Sequence, residues 1–199
     1  LEQRTMLANK YKADVFLSIH MNSTSTPMVS DAEGIETYIL NNATDASSKR
    51  LAQLENKGSG SSVLGPQSRA ATPEQADVAL ILKDLRLDAN LSESKRLACA
   101  IQDHLVLSSS ARRTTASRQP ARRRDRGVKQ ALFHVLLGAD MPSVLVEAGF
   151  LSSPRDRAIV LSAKGRKAMS ASIAQAVEQF RQHKGTSKVH AALSRCKVN

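Results

Sequence analysis

The sequence predicts an α/β fold whose sheet is mostly parallel, twisted and flanked by helices. Short apolar, β-branched runs alternate along the 199 residues with segments in which apolar residues recur at helical spacing. A hydrophobic fraction of 41% is enough for one core, and an aromatic fraction of 3% means that aliphatic residues build it. No apolar run approaches the roughly 18 residues of a membrane span. Two Cys cannot form a disulfide framework.

The predicted strands are short apolar runs. The first, residues 15–19, is continuous enough to predict a strand that is buried on both faces, as in the interior of a parallel sheet. The remaining predicted strands are residues 34–40, 132–137 and 143–146.

Four helices are predicted around these strands. The first carries Leu7, Ala8 and Tyr11 on one face. The second begins at a capping-box pattern, Thr72-Pro73-Glu74-Gln75, and is expected to end near Leu87. The second helix has the apolar stripe Val78, Ile81, Leu82 and Leu85. The third has Leu97, Ile101 and Leu105, and the fourth has Met169, Ile173, Ala176, Val177 and Phe180.

The net charge of +11 is unevenly distributed. Residues 108–126 hold seven Arg and one Asp, residues 181–199 hold five Lys or Arg and no acid, and the rest holds 17 bases and 17 acids. The body is therefore neutral. The composition of the two basic segments predicts a disordered, Arg-rich loop at 108–126 and a basic tail at 183–199.

A histidine, His20, ends the first predicted strand, and a stretch rich in Ser and Thr follows it. Ligands of α/β sheets bind at the carboxyl ends of the strands, so His20 is a candidate metal ligand or proton carrier. The alternative is that His20 only forms a hydrogen bond with a neighbouring loop, and the sequence does not decide between the two roles.

A glutamate, Glu147, directly follows the predicted strand at 143–146 and precedes a turn that contains Gly149. A buried carboxylate without a partner is costly, so Glu147 is expected beside a cation or in proton chemistry. A Glu that caps a helix or forms a salt bridge is the alternative.

Three segments together resemble the zinc-dependent N-acetylmuramoyl-L-alanine amidases of the division-associated type. They are residues 13–22 (ADVFLSIHMN), 125–131 (DRGVKQA) and 141–152 (MPSVLVEAGFLS). The resemblance implies an amidase or zinc-exopeptidase-like fold, a Zn²⁺ cofactor with His20 as a ligand, and Glu147 as the catalytic carboxylate. The bond cut would be the amide between N-acetylmuramic acid and L-Ala of the peptidoglycan stem peptide.

The chemistry of such a site gives each residue a role. Zinc with an open position lowers the pKa of a bound water toward about 7 and polarises the scissile carbonyl. Glu147 would accept the proton of that water and return it to the leaving amine. Asn22, two residues beyond His20, is expected to touch substrate or to orient a zinc ligand. Turn formation after the strand is the alternative for Asn22.

The family's zinc site uses His, Glu and His in chain order, with the first two before the region matched here. We therefore expect two further ligands upstream of Leu1, and an N-terminally truncated catalytic domain at residues 1–182 that is inactive by itself. The other histidines are not expected to replace those ligands: His104 is predicted in a helix, His134 in a strand, and His183 and His190 in the tail.

Residues 41–91 form a long connection, and the resemblance implies that they are a regulatory insertion. By that resemblance residues 49–56 form a helix that blocks the site, with Glu55 capping the zinc until an activator displaces it. The stripe at 78–85 would then face the activator or the core. An ordinary solvated Glu55 and an ordinary core stripe are the alternatives.

The implied partners are peptidoglycan and a division-associated activator, with no specific nucleic acid and no transmembrane segment. The implied process is cell-wall remodelling and daughter-cell separation, and the implied location is the periplasm or cell wall after export. Two other functions stay open: a catalytically silent amidase-like domain, or an anionic-polymer-binding protein. The latter would work through Arg112, Arg113, Arg118, Arg122, Arg123, Arg124 and Arg126, binding in a salt-sensitive way without reading sequence.

Overall fold

The computed structural model describes residues 1–24, 32–57, 73–108 and 123–182 together with Cys196 and Val198, the side chains of Glu2, of residues 73–89 and of Ser108 excepted. Strands and helices alternate through most of these residues. In chain order the elements are α1 (Glu2–Lys10), β1 (Phe16–Asn22), β2 (Ile35–Leu40), α2 (Ala46–Asn56), α3 (Pro73–Ser108), β3 (Asp125–Ala131), β4 (Ser143–Phe150), α4 (Pro154–Leu161) and α5 (Ala163–Gln182).

The described strands form one mixed sheet in the order β1-β4-β2-β3. The pairs β1–β4 and β2–β3 are parallel, whereas β2–β4 in the middle is antiparallel. The predicted α/β fold is confirmed, and two of the three pairings have the predicted parallel direction.

Alternation along the strands divides the core between the two faces of the sheet. Ile35 and Ile39 of β2 and Val144 and Val146 of β4 pack in one apolar cluster with buried residues of α3 and α5. The opposite face carries a second cluster that includes Tyr38, Leu145 and residues of α2. Glu147 belongs to this second face, since it lies two residues beyond Leu145.

The prediction that the first strand is buried on both faces is wrong. Among the described strands, β1 pairs with β4 alone, and the Ile19 side chain is 56% exposed. The fully buried strand is β4, which lies between β1 and β2 and is covered on both faces. An apolar run indicates that a strand can be buried, but the order of the strands in the sheet decides which strand is buried.

The two helices predicted on either side of Leu87 are one helix, α3, of 36 residues. No Gly or Pro lies between Leu87 and Leu97, so nothing in the local sequence ends the helix there. Leu97, Ile101 and Leu105 are buried as predicted. The stripe at 78–85 lies among the side chains that are not described.

The strand predicted at residues 132–137 is also wrong, because β3 ends at Ala131 and His134–Leu136 form a 3₁₀ turn. Phe133, Val135 and Leu136 are apolar because they fill the second cluster from this turn. The sequence of β3 is mostly polar, which hid the strand. Residues 123–126 of the predicted Arg-rich loop are therefore part of the folded body, and Arg123 is buried.

Two residues of the predicted basic tail are also attached to the body. Cys196 forms a disulfide with Cys99 of α3, and Val198 makes a parallel β-bridge to Val128 of β3. Cys196 and Val198 pack against the first apolar cluster. The sequence did not indicate this pairing, because 97 residues separate the two Cys.

Candidate metal and catalytic site

Three polar residues stand in a row across the sheet. His20 of β1 is the register partner of Glu147 in β4, and Glu36 of β2 is its partner from the other side. Residues that pair directly across strands present their side chains to the same face. The register alone therefore brings a histidine and two carboxyl groups together on the face that α2 covers.

Helix α2 adds a third carboxyl group to this row. Its N-terminus is capped by Asp45, whose side chain accepts from the backbone N–H of Ser48. Leu51 and Ala52 are buried in the second cluster, and Glu55 follows them at i+4 and i+3, on the same side of the helix. Glu55 therefore faces the sheet, and its Oε2 lies 2.8 Å from His20 Nδ1.

His20, Glu55 and Glu147 form a cluster that could hold a metal ion. One ligand atom from each residue lies within 4.8 Å of the others; Glu147 is buried and the other two are half-buried. Nitrogen and carboxylate oxygen donors suit zinc and related divalent ions. The other ring nitrogen of His20, Nε2, lies 3.0 Å from Ser18 Oγ, which would fix the orientation of the ring.

Glu147 is the most unusual residue of the site. Its exposure is 0%, and neither carboxyl oxygen has a hydrogen-bond partner among the described residues. Burial first, and then the charges of Glu55 and Glu36, raise the pKa of Glu147 from 4.5 to about 8. Such a group is costly to the fold without a partner, and the unmet oxygens fit a bound cation or water.

Glu36 was missed by the sequence analysis, although it lies inside a predicted strand. Its Oε1 accepts from Arg126 Nε and, at 3.0 Å, from Lys129 Nζ. Its Oε2 accepts from the Tyr38 hydroxyl at 2.7 Å and from Asn22 Nδ2 at 3.4 Å. Burial alone would raise the pKa of Glu36, but these donors outweigh it and hold that pKa below the ordinary value. The sequence feature that could have identified Glu36 is its position as a charged residue inside an apolar predicted strand.

Of the sequence-predicted site residues, three come together and one lies beside them. His20, Glu147 and Glu55 form the cluster, whereas buried Asn22 contacts Glu36 and its own neighbour Ser23.

The remaining histidines contribute nothing to this cluster within the described residues. His104 pairs with Gln179 between α3 and α5, and His134 lies in the 3₁₀ turn, where the predicted strand is absent. His183 and His190 fall outside the described part of the chain.

Comparison with known proteins finds one family. The profile of the N-acetylmuramoyl-L-alanine amidase family matches residues 1–179. The amidase AmiC of Neisseria meningitidis is 32% identical over 171 residues, which are 85% of this chain and 36% of that protein. The amidase AmiA of Escherichia coli is 25% identical over 183 residues, which are 90% of this chain and 56% of that protein. The chain thus spans about a third to a half of the length of these curated relatives.

Solved structures agree with the sequence relatives. An N-acetylmuramoyl-L-alanine amidase from Clostridium difficile 630 has a TM-score of 0.57 and 26% identity, and the match covers 92% of this chain and 66% of that one. The catalytic domain of the amidase CwlV from Bacillus (Paenibacillus) polymyxa has a TM-score of 0.54 at 20% identity, over 91% of this chain and 65% of that one. The second likeness supports the fold.

Proposed function

The chain belongs to the N-acetylmuramoyl-L-alanine amidase family, and from this premise we propose that it hydrolyses the amide between N-acetylmuramic acid and L-Ala of the peptidoglycan stem peptide. The observation that carries the proposal is Glu147. It is fully buried, it has no hydrogen-bond partner among the described residues, and it adjoins His20 and Glu55.

The proposed cofactor is Zn²⁺, with His20 as one ligand. When bound, zinc would supply an activated water and a positive charge that polarises the scissile carbonyl. The further zinc ligands stay a prediction; within the described residues, the donors that join His20 are Glu55 and Glu147.

Glu147 is proposed to move the proton of the reaction. Its carboxylate form takes a proton from the attacking water, and the resulting acid gives the proton to the leaving nitrogen of L-Ala. A pKa of about 8, raised by burial and by Glu55 and Glu36, suits a group that must both accept and donate near neutral pH. Glu147 is buried, like every other residue of β4.

Glu55 is proposed to inhibit the site. Its Oε2 lies 2.8 Å from Nδ1 of His20. Glu55 belongs to α2, which packs on the sheet through Leu51 and Ala52. Displacement of α2 by a division-associated activator would remove Glu55 and open the cluster to substrate. The proposed regulatory insertion, residues 41–91, includes this helix.

The proposed location is the periplasm or cell wall after export, with daughter-cell separation as the process. The Cys99–Cys196 disulfide supports an oxidising compartment. None of the described helices has the length and apolarity to cross a membrane.

Binding of anionic polymers through the Arg-rich stretch is the less favoured function. Arg123 pairs with Asp156 and Arg126 pairs with Glu36, so both are used inside the fold. The other five arginines of that group are Arg112, Arg113, Arg118 and Arg122, which lie outside the described residues, and Arg124, which is exposed.

Amide hydrolysis by the complete gene product tests the proposal. Zinc-loaded protein is incubated with purified muropeptides, and the new amino terminus of L-Ala is measured. We expect hydrolysis by the unaltered protein and faster hydrolysis by Glu55→Ala, since a carboxylate that competes for the site is removed.

The matched control is Gln53→Ala, an exposed position on the same helix, which should leave the rate unchanged. Absence of amide cleavage in all three proteins would contradict the proposed reaction. Equal rates for Glu55→Ala and the unaltered protein would contradict the inhibitory role alone.

A further inference from the structure

Glu147 is the last residue of β4 that has register partners on both sides, in β1 and in β2. Beyond it the pairing with β2 ends, and the pairing with β1 shifts register before it resumes at Asn22 and Phe150. Ala148 and Gly149 have no register partner among the described strands. The regular ladder therefore stops holding the backbone of β4 directly after Glu147.

Two buried charged residues bond to the backbone at this point. Arg123 Nη2 donates to the carbonyl of Ala148 and, at 3.1 Å, to Asp156 Oδ1. The amide of Phe150 donates to Asp156 Oδ2 at 3.0 Å. The carbonyl before Gly149 and the amide after it are therefore both bonded to the same ion pair.

Helix α4 places Asp156 at the end of β4. Ser153 caps the helix by accepting from the amide of Asp156, and Pro154 is the first helical residue. A carboxylate in the first turn also faces the positive end of the helix dipole. Oδ2 of Asp156 accepts in addition from the amide of Gly34, directly before β2, at 2.8 Å. One carboxylate thus joins the start of β2 and the end of β4 to α4.

Gly149 allows the ion pair to approach the strand this closely. Its φ is +149°, which a residue with a side chain rarely adopts. A Cβ at this position would lie 2.4 Å from Arg123 Nη2 and 3.1 Å from Asp156 Cβ. A larger residue would therefore displace both members of the pair from the backbone that they bond.

The ion pair is buried at a place where position matters. The side chains of Arg123 and Asp156 are 3% and 2% exposed, and a buried ion pair adds little net stability because both charges lose their water. Nearby, the carboxyl oxygens of Glu147 have no hydrogen-bond partner among the described residues. The backbone must therefore fix the position of this carboxyl group, and the ion pair holds that backbone one residue further on.

We propose that Arg123 and Asp156 are positioning residues for Glu147. By fixing the backbone of residues 148–150, the pair holds the Glu147 carboxyl group where it takes the proton of the attacking water. The inference rests on the proposed amidase function and adds to it two residues that act through the backbone. It predicts that breaking the pair loosens the end of β4 and slows the chemical step.

Hydrogen exchange in the zinc-loaded complete gene product tests the first half of this inference. Arg123→Met removes the donor to Ala148, while Asp156 keeps the amides of Gly34 and Phe150, so the variant should fold. We expect exchange at residues 148–150 to accelerate about tenfold more than at residues 143–146 of the same strand. A global loss of stability would accelerate both parts of β4 alike.

Muropeptide hydrolysis tests the second half. In Arg123→Met, kcat should fall by about 10- to 100-fold with KM little changed, because a misplaced proton carrier slows the chemistry and leaves substrate binding intact. Arg123→Lys keeps the charge without the planar fork and should restore part of kcat. If Arg123→Met does not fold, Arg123→Lys and Asp156→Asn replace it, and each should show smaller changes in the same direction.

Two controls separate positioning from stability. Arg155→Gln removes an exposed arginine of α4 that pairs with Glu33, and it should change neither the exchange pattern nor kcat. Phe180→Leu thins the first apolar cluster from α5, so it should lower the thermal stability and leave the kcat of the folded protein unchanged.

Uniform exchange along β4 in folded Arg123→Met would overturn the assignment, as would an unchanged kcat. A fall of kcat in Phe180→Leu as large as that in Arg123→Met would also overturn it, since stability alone would then explain the effect. Hydrolysis by the unaltered protein reports the amidase function separately. Its absence, together with faster exchange confined to residues 148–150 in Arg123→Met, would contradict the amidase function and not the hold of the ion pair on β4.

Discussion

Glu36 and Glu147 are two buried glutamates that pair directly across β2 and β4, yet their surroundings are opposite. Glu36 is 2% exposed and Glu147 is 0% exposed. Four side chains donate to Glu36, whereas Glu147 has no partner among the described residues. The pKa of Glu36 lies below its ordinary value, and that of Glu147 is raised to about 8.

The difference comes from the strands on either side. Glu36 has β3 as a neighbour, which contributes Arg126 and Lys129, while Glu147 has β1, which contributes His20. A carboxylate that is fully hydrogen-bonded stabilises the fold and fixes its donors in place. A carboxyl group that is buried without hydrogen-bond donors destabilises the fold. Such groups occur at functional sites, where the reaction uses them.

Removing the acid at position 147 should have the largest effect. Glu147→Gln keeps the shape but cannot accept a proton, so muropeptide hydrolysis by the complete gene product should fall by about 10² to 10⁴-fold. Its thermal stability at pH 7 should not fall, because a buried carboxyl without partners is replaced by a neutral amide. Activity within a few-fold of the unaltered protein would show that Glu147 is not the proton carrier.

The same substitution at position 36 should act on stability instead. Glu36→Gln leaves Arg126 and Lys129 without their counter-charge, and breaking a buried ion pair costs about 3 kcal/mol. Urea unfolding measures the free energy, with Glu147→Gln as the matched control on the neighbouring strand. Equal stability of the two variants would mean that the partners of Glu36 contribute nothing.

The pH dependence of stability should separate the two groups in the metal-free protein. The folded pKa of Glu147, about 8, lies above the ordinary value of 4.5, so its contribution is complete below pH 4.5 and is lost as the pH rises to about 8. The loss is at most about 1.4 kcal/mol per pH unit. The folded pKa of Glu36 is lowered, so its contribution is present above pH 4.5 and is lost in acid.

Unfolding free energies measured from pH 4.5 to 8 should therefore decline less steeply in Glu147→Gln than in the unaltered protein. The two curves would run parallel if Glu147 were ionised in the folded protein throughout this range.

Asn22 should show the smallest effect. Its bond to Glu36 spans 3.4 Å, and Glu36 keeps three shorter or charged partners without it. Asn22→Ala should lower the free energy of unfolding by about 0.5–1 kcal/mol and leave hydrolysis within a few-fold. A loss of activity as large as that of Glu147→Gln would instead place Asn22 in contact with substrate or a metal ligand.

Of the two glutamates compared here, the sequence singled out Glu147, because its position follows from a local sequence pattern. Apolar runs that end in His20 and Glu147 were sufficient to single out both residues, and β4 and β1 followed from the same runs. Whether Glu147 lies beside His20 depends on the register of β1 and β4, which a local pattern does not contain.

Glu36 was missed because its partners are distant in the chain. Arg126 and Lys129 lie 90 and 93 residues away, and Arg126 belonged to a stretch whose composition predicted a loop. The exposed face of β1 and the Cys99–Cys196 disulfide escaped for the same reason: strand order and long-range pairing are tertiary properties.

Direct titration of the two carboxyl groups tests the central claim most closely. NMR of ¹³C-labelled glutamate side chains in the metal-free protein gives each pKa, with Glu36→Gln and Glu147→Gln spectra to assign the signals. We predict that Glu147 titrates near 8 and that Glu36 stays ionised below its ordinary 4.5. Titration of Glu147 at or below 4.5, or of Glu36 above it, would contradict the division of roles between them.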